Sequence, residues 1–155
     1  MAKLVMEKKA YDNTYLHRDF HGLLDIGITY LRENYGEQAV RDYLRQFAAA
    51  YYAPLKADLK KRGLIALREY FEKIYEIEGG GTEITLNDRE LTIRVDACPA
   101  VTHLHKLNVP VDPLFFETTR VVNEEICEGT PFASESIEYS SETGASLQRF
   151  FRRDI

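Results

Sequence analysis

Cysteine and histidine are the side chains best able to serve near neutral pH as nucleophiles, proton carriers or ligands for borderline metals. In this chain all four histidines and both cysteines fall in three short stretches. His17 and His21 lie in LHRDFHGLLD, Cys98, His103 and His105 in ACPAVTHLH, and Cys127 in NEEICEGTPF. A fold that brings the stretches together would hold one site for metal or cysteine chemistry. A fold that does not would leave ordinary polar residues.

His17, His21 and Asp25 are spaced four apart, so on a helix they form one column. The column runs along the edge of the apolar stripe, with Asp25 furthest out. Such a pair of histidines can present two imidazoles to one divalent ion, zinc or similar, with a carboxylate as third ligand or as orienting partner. His17 and His21 can equally act as base. The plain alternative is two boundary histidines, one hydrogen-bonded and one half exposed.

Cys98 stands where a strand ends and Pro99 begins a helix. A helix N-terminus can lower a thiol pKa, and a strand-to-helix corner is a common place for a nucleophile. Against this, cysteine is also a small, easily buried hydrophobe. His103 and His105 are two apart and diverge on a helix, so at most one joins Cys98; His103 is taken as the substrate contact. Cys127 closes a later helix that carries Glu117 and Asn123, two polar candidates for holding a substrate. His17, His21 and Cys127 make the candidate metal set, and Cys98, His21 and His17 the candidate catalytic set.

The elements that must position these residues follow from apolar periodicity and helix stops. A first helix, capped near 12–14, runs to about Asn34 and stops at Gly36. A second runs from Glu37 to Arg62, kinked or split by Pro54. A third, LIALREYFEKIYEIE, reaches the glycines 79–81, which read as a hinge. TEITL and ELTIRVDA alternate as a hairpin around Asn87 and Asp88. A short helix follows Pro99, a longer one spans about 114–128, and PFASESIEYS with ASLQRFFRR forms a second hairpin through SETG. The order ααα-ββ-αα-ββ predicts an α+β fold in one domain, with a helical part at 12–78 and a sheet-containing part at 82–153. Its four-stranded antiparallel sheet should carry its helices on one side.

Composition narrows the classes. Acidic residues outnumber basic ones, 25 to 20, against a nucleic-acid binder. Arg149, Arg152 and Arg153 read as a solvated strand end. Nothing resembles a signal peptide or a membrane span, so a cytoplasmic protein that avoids membranes is expected. The phosphate-loop, dinucleotide, nucleophile-elbow and HExxH motifs are missing, so no nucleotide cofactor is expected. A homodimer is open, since amphipathic helices on a partly exposed sheet often pair with a second copy.

HRDFHGLLDIGITYLRENYGEQAVRDYLRQFA, VDACPAVTHL and FFETTRVVNEEICEGTPFASESIEY together resemble the L-2-amino-thiazoline-4-carboxylic acid hydrolase-like family, over about Tyr15 to Arg152. The most specific pieces are the first-helix histidine, ACPAV, and the run Glu117, Asn123, Glu124, Cys127, Gly129. That run also resembles the end of vinyl-4-reductase-type small-molecule-binding domains, in which a cysteine cluster often holds zinc; here Phe132 and Ala133 stand near where a further cysteine would be. The resemblance implies ring-opening hydrolysis of a cyclic amidine-like C=N bond in a small sulfur heterocycle. The alternatives are a sensor module that only binds its ligand and a protein whose metal is structural.

Overall fold

Helical periodicity in the first half and strict alternation after Gly81 produce two kinds of layer. The computed structural model describes residues 19–153. Four helices come first: α1 (Asp19–Tyr35), α2 (Glu37–Tyr51), α3 (Ala53–Arg62) and α4 (Leu64–Glu78). The hairpin β1 (Thr82–Leu86) and β2 (Glu90–Val95) follows, then α5 (Pro99–Lys106) and α6 (Glu117–Cys127). The hairpin β3 (Phe132–Tyr139) and β4 (Ser146–Arg152) ends the described chain. Pro54 splits the expected second helix, taking a first-turn place in α3 where its missing N–H costs nothing.

The sheet is antiparallel throughout, in the order β1-β2-β4-β3. One face packs against helices, and the other carries exposed Glu83, Thr85, Arg94 and Glu135. Leu91, Ile93, Val95, Gln148 and Phe150 fill the covered face. Register sets three rows across it: Leu86–Leu91–Phe150–Ser134, Ile84–Ile93–Gln148–Ser136 and Thr82–Val95–Ser146–Tyr139. The rows thus grow more polar toward the end of the sheet where Val95 leads into Cys98. A bulge between Ser136 and Glu138 shifts the parity of β3, so Tyr139 rather than Glu138 lies opposite Ser146.

The interior is divided. One apolar cluster joins Leu59, Leu67, Leu91, Ile93, Ile126 and Phe150 under α3 and α4. A second joins Ile28, Leu44, Val101, Leu104, Leu114 and Val121 between α1, α2, α5 and α6. The glycines after α4 are not a free hinge. The carbonyls of Gly80 and Gly81 accept the N–H groups of Ala97 and Asp96 at 3.1 Å, which extends the β1–β2 pairing and fixes the end of α4 beside Cys98. A Cβ on Gly80 would lie 2.8 Å from the Ala97 carbonyl, so only glycine permits that approach. Among the described residues no helix is long and apolar enough to cross a membrane.

Candidate functional site at the Cys98 corner

The strand-to-helix corner forms as the sequence predicts, with Cys98 as the residue before α5 and Pro99 in its first turn. The β3–β4 turn holds it from outside: the Cys98 N–H donates to the Thr143 carbonyl at 2.9 Å. Gly144 packs on the same corner at φ 67°, and a Cβ there would collide with Cys98 Cβ and lie 2.9 Å from Val101 Cγ2. Backbone N–H groups of Ala100 and Val101 point at the thiol, as a helix N-terminus should. The expected lowering of its pKa does not follow. Burial raises the Cys98 pKa, the two N–H groups oppose it, the charge of Glu78 adds to the rise, and the net direction is upward. At rest the group is a thiol and needs a base.

His21 and Glu78 stand at this corner. Glu78, the last residue of α4, faces His21 of α1 with Oε1 3.5 Å from Nε2, and both side chains are about four-fifths buried, 17 % and 20 % exposed. Tyr75, one turn earlier on α4, is half-buried and would feel a thiolate at Cys98; its hydroxyl meets the side-chain amide of Gln148. Gln148 accepts from Asn123 Nδ2 at 2.8 Å and donates to Ser146 Oγ at 3.0 Å. Tyr139 also feels the Cys98 charge and packs on Phe116, with ring centroids 5.6 Å apart. Desolvation raises the pKa of both tyrosines, keeping them as neutral hydroxyls.

Of the catalytic set, His21 meets Glu78, whose charge reaches Cys98, while His17 lies outside the described residues. Asn123 joins the corner through Gln148. His105 is exposed and His103 half-buried, as divergence on a helix requires. Glu117, expected to contact a substrate, is engaged within the protein. It is buried at the α2–α6 packing, where Oε1 accepts Arg41 Nε at 2.9 Å and Oε2 accepts Arg120 Nε at 2.7 Å, so both oxygens are occupied. Asp25 is not the outermost of its column. It is 3 % exposed and accepts the backbone N–H of Asp112, whose own carboxylate binds Leu114 N–H, Thr29 and Arg32. That network ties α1 to the loop before α6.

Of the donors proposed for a metal, His17 lies outside the described residues, and His21 and Cys127 have different surroundings. Cys127 is 1 % exposed in the apolar cluster under α3, its thiol beside Ser134, and burial pushes its pKa up to about 12. Among the described residues no three His, Cys, Asp or Glu side chains are grouped so as to hold an ion. Tyr51, Tyr52 and Tyr70 line an open groove of about 510 Å³ between α3 and α4, with no cysteine or histidine in its lining.

Sequence reasoning missed Glu78, Tyr75, Gln148 and Tyr139. Two signals were present. An acid in the last turn of a helix opposes the helix dipole, and α4 ends on Glu78 with no basic residue nearby in that turn. A glutamine at an inward position of a β-strand must find partners in the interior. Comparison with known proteins supplies no neighbour: no family model, curated protein or solved structure matches the chain.

Proposed function

We propose that the protein is a small-molecule hydrolase that opens the C=N bond of a cyclic amidine-like heterocycle of the thiazoline type, with Cys98 as nucleophile. The observation that carries this reading is a thiol at a helix N-terminus linked through one carboxylate, Glu78, to a histidine. The resemblance of ACPAV and the Asn123–Cys127 run to a heterocycle-hydrolase family supports the same chemistry. Because burial keeps Cys98 protonated, His21 first takes the Sγ proton, with Glu78 stabilising the imidazolium that forms. The thiolate adds to the amidine carbon as the C=N electron pair moves onto the ring nitrogen, which receives the proton from His21. The exocyclic nitrogen then re-forms a double bond to that carbon and gives a proton, through His21, to the departing ring nitrogen. The ring opens to an amine while the carbon stays bonded to Sγ. Water adds across the new C=N bond, the carbon–sulfur bond breaks, and the hydroxyl proton returns to Sγ. The water oxygen ends on carbon and the thiol is restored. Tyr75, Tyr139 and the Asn123–Gln148 pair supply neutral donors and acceptors around the reacting atoms.

The test is formation of the ring-opened amine from 2-aminothiazoline-type substrates by wild type, Cys98→Ala and His21→Ala. Loss in both variants with circular dichroism unchanged supports the mechanism; wild-type turnover in both removes it. The raised Cys98 pKa also suits a second reading, a module that binds such a ligand without reacting. That reading expects ligand-dependent thermal stabilisation and no product.

A further inference from the structure

The carboxylates that escape full exposure are matched in a consistent way. Asp112 faces Arg32, Glu117 faces Arg41 and Arg120, Glu124 faces Arg120, Glu125 faces Lys56, and Glu90 faces Arg149. Each partner is a permanent cation. Asp25 is held by a backbone N–H beside the Asp112–Arg32 pair. Glu78 is different. Among the described residues its one partner is His21, which is charged only when protonated, and no hydrogen bond or ion pair reaches Oε2. It also terminates α4, where the carbonyl end of the helix adds negative potential. The titratable groups that its charge reaches besides His21, namely Tyr52, Tyr70, Tyr75 and Cys98, carry no positive charge to offset it. A carboxylate held mostly out of water at such a place carries a desolvation cost that an arriving cation would recover.

We propose that Glu78 is the counter-charge for a cationic group of the ligand, an amidinium or a protonated amine, seated beside Cys98. This rests on reading the Cys98 corner as the ligand site. Glu78 then sets specificity by charge: a cation gains its carboxylate, a neutral isostere does not, and an anion of the same shape meets repulsion. The negative charge also explains why Cys98 and Tyr75 are both pushed further from ionisation by Glu78.

The test uses three probes of one shape, benzamidine (a cation), benzamide (neutral) and benzoate (an anion), titrated by calorimetry into Cys98→Ser protein so that no turnover intervenes. The expected order is benzamidine, benzamide, benzoate, with benzamidine at least about ten-fold tighter than benzamide. Glu78→Gln should bring benzamidine and benzamide to equal affinity, and Glu78→Asp should keep the preference. Equal binding of the first two probes before any change at Glu78, tightest binding of benzoate, no binding of any probe, or a preference that survives Glu78→Gln would each overturn the proposal. The three-probe comparison needs no Glu78 variant, so it stands even if one fails to fold. A protein that prefers benzamidine yet hydrolyses no amidine would defeat the hydrolase reading and leave this one in place.

Discussion

Two acids held largely out of water, Glu117 at the start of α6 and Glu78 at the end of α4, differ in what they meet. At the α2–α6 contact, Glu117 gives both oxygens to arginines that remain charged at any ordinary pH. At the α4–α5 corner, Glu78 meets one histidine and lies near a thiol. In the first arrangement each oxygen already accepts from an arginine, which holds α2 and α6 together. The second sets an oxygen with no further partner among the described residues beside a titratable histidine, with its charge reaching a thiol. A buried acid therefore says little by itself; the permanence of its partner decides which kind of site it makes.

The contrast breaks most sharply if activity and stability respond at the wrong site. Cys98→Ala should lower turnover by on the order of 10³-fold or more while moving Tm little, as expected for loss of a nucleophile. Product formation and a melting curve on one sample check this. Glu117→Gln should do the reverse, costing about 2–3 kcal/mol because it leaves Arg41 and Arg120 without their shared carboxylate, softened by their partial exposure. Tm should fall by roughly 5–10 °C, with turnover per folded molecule unchanged. Gly144→Ala sits between the two. Strain at positive φ and the collision with Cys98 should cost about 1–2 kcal/mol and also reduce turnover by displacing the thiol. Unchanged kinetics there would show that the β3–β4 turn does not position Cys98.

The smallest effect compares the two cysteines. Cys127 holds its proton up to about 12, against an ordinary value of 9.0. Between those values the folded chain keeps a proton that the unfolded chain releases, so the stability this group contributes is full below pH 9 and declines as pH rises. The decline should be about 1 kcal/mol per pH unit, and Cys127→Ala should flatten it in urea melts at pH 8 to 10.5. An unchanged slope would mean that other groups carry the alkaline loss.

Much of the fold was legible because it rests on local patterns. The limits of α4 and β1, the break at Pro54 and the facing of Leu91, Ile93 and Val95 all follow from periodicity and breaker residues. The site was half legible. Histidine and cysteine announce themselves by type, and the Cys98 corner follows from Pro99. Glu78, Tyr75 and Gln148 are common residues whose meaning comes from what tertiary packing sets beside them. The same holds for Glu117 and Asp25, whose ion pair and hydrogen bond join residues far apart in sequence, so candidate roles assigned by type gave way to structural ones. The thiol of Cys98 shows a further limit. The helix terminus was predictable, but the desolvation that outweighs it depends on the whole surrounding interior.

The bulge in β3 carries a consequence for how such a chain could change its chemistry. Residue parity along a strand is a one-bit register, and the extra residue near Ile137 sets that bit so that a phenol rather than a carboxylate comes round to the Cys98 side. Pairing the same residues without the bulge would reverse the bit, whereas deleting the extra residue would keep Tyr139 opposite Ser146. With the bit reversed, Glu138 would take the place of Tyr139, adding a second negative charge near the thiol, so the pairing of a strand two elements away acts as a dial on the electrostatics around Cys98.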